Sequence, residues 1–441
     1  MPATRKSKKR HTQAVIVIHG MGEQRPMDTI RGFVDAVLPE PEQGGEKFFS
    51  RPDPLSESFE LRVLQNRSQP RTHFYEYYWA YKVSGTKFGH IGSWLWTLMV
   101  RSPARVPGQL RPLWVLSWLL IAAAALSAGL GFFDRLTQNA SVLISGASAL
   151  LFGLLQGVVL SYLGDAARYL SPTTENIKLR QDIRADGIKL LKRIHESGDY
   201  DRVIVVGHSL GSVIAYDILK HVWQECYKDY RKPVRSSQPA LAQLEKAGED
   251  LRRSARGATF KTYRQAQLDL WKELRQLGCP WLVTDLVTLG SPLAHAALFL
   301  ASDEANLRVR QRQRELPTNP PEPEIERIKG GEIRRFSYLV WEGYGKKRNI
   351  KLRALHHAGL FACTRWSNLF FPALGGLFGD LAGGPLAPWF GPGVRDLAVR
   401  SGNPFVDRTL IAHTSYWKGN APASLEPLLD ALDLKNTAYY P

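Results

Sequence analysis

Residues 203–217 read Val-Ile-Val-Val-Gly-His-Ser-Leu-Gly-Ser-Val-Ile-Ala-Tyr-Asp: a β-branched apolar run, a Gly-His-Ser-Leu-Gly turn, then an apolar helix-like stretch. A serine hydroxyl becomes a useful nucleophile only when it is aimed and partnered with a base. A sharp strand-to-helix turn aims it by holding the hydroxyl clear of the backbone, and Ser209 occupies that position. Gly207 and Gly211 suit such a turn, because larger residues would collide with the adjoining strand and helix. His208 completes the motif. A second strand-like run, 14–18, ends in His19-Gly20-Met21-Gly22. Acyl transfer develops an oxyanion, and backbone N–H groups aimed at it lower the barrier by several kcal/mol. The residue after the nucleophile, Leu210, is one expected donor, and Met21 in the early loop is the other.

These motifs resemble those of the α/β-hydrolase superfamily, serine lipase and esterase type. Members carry an HGxG oxyanion loop, a GHSxG nucleophile elbow and triad partners in the chain order Ser, Asp, His. The resemblance covers about 13–25, 72–80, 200–220, 283–293 and 364–417. It implies an α/β fold, a mostly parallel sheet flanked by helices, with no cofactor and no metal. Phe74–Ala80 fits as a second early strand, and Thr288-Leu289-Gly290-Ser291-Pro292 as the strand end that follows the elbow. The order rule then selects among the 11 histidines. His19 and His208 belong to the motifs, His221 and His295 come too early, and His356 and His357 precede the expected acid. His413 is left as the base. The acid implied by the pattern after the late strand 364–371 is Asp380, with Asp396 and Asp407 as rivals.

Elements outside the resemblance carry a membrane signal. No charged residue occurs from Leu113 to Phe133 or from Ala140 to Gly164. At about 1.5 Å per helical residue, each run can cross a hydrocarbon core of about 30 Å. The short linker 134–139 makes them a hairpin, and Trp94, Trp96, Trp114 and Trp118 approach it as interfacial aromatics would. Arg101, Arg105 and Arg111 precede the hairpin, and Arg168, Lys178 and Arg180 follow it, while the linker is net neutral. The positive-inside rule therefore predicts an integral protein of the cell membrane with its catalytic domain in the cytoplasm. Gly153, Gly157 and Ser161 form a small-residue stripe that would let another helix approach. Because the candidate triad lies outside 113–164, the hairpin is expected to be a separable anchor.

The chain of 441 residues is expected to hold one main domain with insertions, since the loop at 19 and the histidine at 413 must meet. The expected divisions are a basic tail (1–12), the first part of the hydrolase domain (13–100), the hairpin insertion (101–170) and the remainder (171–441). No signal peptide is expected, because the first apolar stretch ends after a few residues in His19-Gly20. Three cysteines, Cys226, Cys279 and Cys363, show no CxxC spacing and suit a reducing compartment. The net charge of +17 is partly local to Arg5, Lys6, Lys8, Lys9 and Arg10, a cluster suited to anionic lipid. No recognised module accompanies the charge, so nucleic acid is not an expected partner.

Between elbow and following strand, 226–280 reads as one or two amphipathic helices, a lid or a partner-binding arm. A Pro-rich stretch, 317–323, within the charged segment 303–335 reads as an exposed loop. The expected activity is that of a membrane-anchored serine hydrolase cleaving carboxylic esters of lipids through an acyl-enzyme at Ser209. Membrane lipid is then both substrate and environment, and a protein partner or a second copy would bind through the hairpin or the 226–280 arm. A thioesterase, an acyltransferase or a soluble-ester esterase would use the same residues. A vestigial hydrolase-fold scaffold, binding a partner through 226–280, is the reading from another class.

Overall fold

Uncharged runs of β-branched residues must hide both faces, which a strand achieves in the middle of a parallel sheet covered by helices. The computed structural model describes residues 11–20, 25–41, 44–83, 96, 99–106, 108, 110–133, 137–159, 165–170, 174–228, 238–328, 331–342, 349–373, 379–419 and 421–440. Its strands are β1 (Thr12–Ile18), β2 (Phe49–Pro52), β3 (Arg62–Gln65), β4 (Arg71–Tyr77), β5 (Arg202–His208), β6 (Val283–Leu289), β7 (Glu324–Ile328), β8 (Gly331–Arg335), β9 (Ser337–Glu342), β10 (Asn349–Leu355), β11 (Arg365–Phe370) and β12 (Val394–Ala398). Eight of them form one sheet in the order β12-β11-β6-β5-β1-β4-β3-β2. Neighbours from β12 to β4 are parallel, and β3 and β2 join antiparallel at the edge. β7 with β8, and β9 with β10, make two separate hairpins.

Alternation along the strands divides the interior into two layers. Ala14, Ile16, Ile18, Val203 and Val205 face one core, where 174–196 and the elbow helix Leu210–Cys226 pack. Val15, Val17, Ile204 and Val206 face the other, which Asp28–Val37 and Pro422–Leu432 cover. The chain is thus α/β with a mostly parallel sheet between helices. At the N-terminal ends of the central strands, fully buried Arg202 bonds Asp285 (2.8 Å), Thr284 and the carbonyls of Leu432 and Asp433. Arg365 holds the other Asp285 oxygen at 2.8 Å, and Tyr439 lies under both guanidinium groups. The C-terminal segment is thereby tied to the end of the sheet opposite Ser209.

Three expectations need correction. The segment 226–280 contains helices Pro239–Arg253 and Gly257–Gln276, but it is neither a lid nor a free arm. Leu244, Leu251, Tyr263 and Leu270 are fully buried in the core shared with β5 and β6, and Gln267 bonds the Phe361 carbonyl at 2.7 Å. Its apolar stripe is spent on the body of the domain. Nor is the Pro-rich stretch exposed: residues 316–321 are buried. Asn319 accounts for this, since it receives the Tyr263 hydroxyl (2.9 Å) and donates to the Gly393 carbonyl (2.9 Å). Its backbone also bonds Phe390 and Gly393 at 2.7 Å each. A polar residue tolerates burial when every group finds a partner.

The third correction concerns the apolar hairpin. Its helices span Arg111–Phe132 and Gln138–Val159, each long and apolar enough to cross a membrane; residues 134–136 and 160–164 lie outside the described residues. The pair is inside out relative to a water-soluble hairpin. Ser127 and Ser145 share a hydroxyl bond of 2.6 Å, the Ser141 hydroxyl donates to the Ser127 carbonyl at 2.7 Å, and Gln156 donates to Ser117 at 3.0 Å. Leu126, Val142, Leu143 and Leu150 instead point outward, 65–71 % exposed. Yet the hairpin does not stand apart from the α/β body. Its root residues Val106, Leu110 and Leu113 share one buried apolar cluster with Leu298, Leu381 and Ala382 of the α/β body. Trp114 and Trp118 both donate their indole N–H to the Met99 carbonyl, at 3.0 and 3.2 Å, which fixes how the chain enters the first helix.

Candidate active site

Ser209 stands where β5 ends and the elbow helix begins, with φ 51° and ψ −128°. A non-glycine residue pays for a positive φ, about 1–3 kcal/mol, and holds it only when its surroundings over-determine it. Three contacts do so here. The Ser209 N–H donates to the Leu289 carbonyl at 2.8 Å. A Cβ on Gly207 would lie 2.5 Å from Ser212 Cα, and one on Gly211 would lie 2.1 Å from the Ile18 carbonyl oxygen. Only glycines let helix and β1 close this tightly on the turn.

His413 lies on the short 3-10 turn Leu410–Thr414, over two hundred residues along the chain, yet its Nε2 is 2.9 Å from Ser209 Oγ. Its Nδ1 is 2.9 Å from Asp380 Oδ1. A carboxylate can only accept there, so Nδ1 carries the proton and Nε2 is free to accept one from the serine. Asp380 is completely buried and well supplied with donors: Ala382 N–H and Gly383 N–H, each at 2.9 Å, and the Tyr416 hydroxyl at 2.6 Å. Burial alone would raise its pKa; the His413 charge and these hydrogen bonds prevail and hold it at about 2. The acid is therefore ionised throughout the neutral range.

The rivals are occupied elsewhere. Asp396 accepts from Asn368 and from the Leu386 and Ala387 N–H groups, and Asp407 accepts from the Ser401 N–H. His356 bonds the Glu322 carbonyl, and His295 Nε2 the Leu381 carbonyl. His208 braces His413. Its Nε2–H donates to the His413 carbonyl at 2.8 Å and its ring packs 5.2 Å from that of His413. Burial lowers its pKa to about 3, so it stays neutral.

The early loop reaches the same place. A Cβ on Gly20 would fall 2.8 Å from Ser209 Cβ, so the Gly20 backbone runs directly against the serine. His19 is buried, stacked on Trp79, and pushed down to about 4 by desolvation, so it stays neutral. Leu210 is the first residue of the elbow helix, where an N–H has no acceptor within the helix. Met21 and Gly22 lie outside the described residues. Beyond this loop, Glu76 on β4 accepts from the Met27 N–H at 2.6 Å, while burial raises its carboxyl to about 7. A folded-state pKa above the ordinary 4.5 means that stability falls as pH rises from about 4.5 to 7, by on the order of 3 kcal/mol in all. Glu76→Gln keeps the acceptor without the charge. It is expected to unfold at higher urea than wild type at pH 8, with the difference gone at pH 4. Equal midpoints at pH 8 would contradict this.

Tyr416 was not among the residues singled out from sequence. Its only signal is its place one turn beyond His413, and its function depends on folding back to the acid. Gly290 and Gly383 were also unrecognised as site residues. A Cβ on either would meet Asp380 Oδ2 at 2.7 Å, so both must lack side chains for the acid to fit. Tyr416→Phe removes one of four donors to Asp380 and the acceptor of the Phe371 N–H. It should lower kcat several-fold with KM unchanged, as measured by initial rates on a soluble ester.

Among the described residues, no group of three or more His, Cys, Asp or Glu side chains is placed to hold a metal ion. The three cysteines are buried and none forms a disulfide. Comparison with protein-family models, with curated proteins and with solved structures finds no match to this chain.

Proposed function

We propose that this protein is a membrane-anchored serine hydrolase of the α/β-hydrolase type that cleaves carboxylic ester bonds of lipids. The observation that carries the reading is the continuous hydrogen-bonded line from Ser209 Oγ through His413 to Asp380, with the serine held in a strained turn. On this reading His413 Nε2 takes the Ser209 proton as Oγ attacks the ester carbonyl. Asp380 stabilises the imidazolium, and the Leu210 N–H, with Met21 as the second donor, receives the oxyanion. His413 then protonates the leaving alcohol, and a water deprotonated by the same imidazole releases the acid from the acyl-enzyme.

Lipid is favoured over soluble esters by the inside-out hairpin, whose outward leucines and valines suit an apolar solvent. Arg101, Arg105 and Arg111 before it, and Lys178 and Arg180 after it, favour cytoplasmic placement of the α/β body. The basic N-terminal tail, outside the described residues, would add attraction to anionic lipid. A fluorophosphonate probe tests the chemistry, and alkaline carbonate extraction tests the anchoring. Covalent labelling at Ser209 in protein that stays in the membrane pellet is expected. Absence of labelling in folded protein would overturn the hydrolase reading, and release into the supernatant without detergent would overturn the integral one.

A further inference from the structure

We propose that the root of the apolar hairpin is a positioning element of the active site, holding the acid and base segments in register with Ser209. The proposal rests on the hydrolase reading above and goes beyond anchoring. Ser209 is fixed by β5 and the elbow helix, but its two partners are not on strands of the sheet. Asp380 begins a stretch without helix or strand up to Leu386, and His413 sits on a one-turn segment. Such segments hold their shape through whatever packs on them.

For the acid, the packing partner is the hairpin root. Leu381 and Ala382, the two residues after Asp380, are almost wholly buried in the cluster made with Val106, Leu110 and Leu113. The Ala382 N–H is itself one of the donors to Asp380. From the body side, His295 donates to the Leu381 carbonyl at 2.9 Å, and Leu298, three residues further on, enters the same cluster. For the base, Leu410 at the start of the His413 turn packs against this cluster, as do Trp114 of the first hairpin helix and Leu155 of the second. One small apolar cluster therefore touches both hairpin helices, the acid loop and the base turn. Withdrawing Leu110 and Leu113 would leave Leu381 facing a void and free the loop that sets the 2.9 Å His413–Asp380 bond. Misplacement of a catalytic group by about 1 Å costs on the order of a hundredfold in rate.

The test uses the full chain in lipid nanodiscs with p-nitrophenyl butyrate, a water-soluble ester that needs no bilayer to reach the serine. Leu113→Ala is expected to lower kcat roughly ten- to a hundredfold with KM little changed. It should also weaken the far-downfield proton resonance of the His413 Nδ1–H bonded to Asp380. Leu113→Met, which refills the space, should restore both. Leu110→Ala, elsewhere in the cluster, should reproduce the loss, and serves if Leu113→Ala does not fold. Wild-type kcat and an unchanged resonance in these alanine variants would overturn the proposal and leave the hairpin an anchor. If wild type neither hydrolyses the ester nor takes up a fluorophosphonate, the hydrolase reading fails instead. The resonance, which needs no turnover, still decides whether the root holds the pair.

Discussion

Ser209→Ala is expected to abolish ester hydrolysis, lowering kcat by at least about 10³-fold and up to about 10⁶-fold. The side chain loses one oxygen, hydrogen-bonded to His413 Nε2 at 2.9 Å, so the fold should survive. Alanine keeps a Cβ in the same positive-φ backbone, so the strain of the turn remains. Glycine relieves it. Ser209→Gly should therefore be as inactive as Ser209→Ala but unfold at a higher denaturant concentration. Substantial turnover by either purified variant would end the serine-hydrolase reading. A glycine variant less stable than the alanine one would mean that the turn is not strained.

The next largest effects are expected at Asp380, and its two substitutions should separate charge from orientation. In Asp380→Asn the amide must keep its oxygen at the Oδ1 position, because Ala382 N–H, Gly383 N–H and His413 Nδ1–H all converge there. The amide nitrogen then faces Tyr416. The imidazole keeps its tautomer and loses only the negative charge that stabilises its protonated form, so a loss on the order of a hundredfold is expected. Asp380→Ala also loses the orientation of the ring and should fall by on the order of 10⁴-fold. Steady-state rates on a soluble ester distinguish the two. Equal losses would mean that the amide turns its nitrogen to the imidazole and traps the wrong tautomer.

What the sequence revealed follows the range of the interactions involved. The elbow is local: buried strand, Gly207, Ser209, Gly211 and helix are contiguous, and each residue's reason lies within a few positions of it. His413 is reached through the chain order that the resemblance supplies, and Asp380 through the family pattern after the late strand 364–371, because no local periodicity marks either as a partner of Ser209. Tyr416, Gly290 and Gly383 act through space on one carboxylate, and periodicity carries no trace of that. The Pro-rich stretch misled for a related reason. Its composition suits solvent, but Asn319 finds buried partners from Tyr263 and Gly393, far along the chain. The segment 226–280 showed its helices plainly and hid their destination, since an amphipathic stripe states that a face will be buried but not where. The hairpin was legible as two apolar runs, whereas its seating on Leu381 was not.

The distribution of the site along the chain also orders its making. The apolar helices end near residue 159, whereas His413 and the carbonyls at 432 and 433 that bond Arg202 come some 250 residues later. At about 5–20 residues per second, a ribosome needs roughly 10–50 s to cover that distance. During this interval the hairpin has left the ribosome and the serine has been translated, but the base does not yet exist. On the proposed function, a hairpin that enters the bilayer as it emerges would bring the nascent hydrolase to its membrane before it could cut anything. On that reading, the order of synthesis itself would keep an unanchored, competent hydrolase from accumulating.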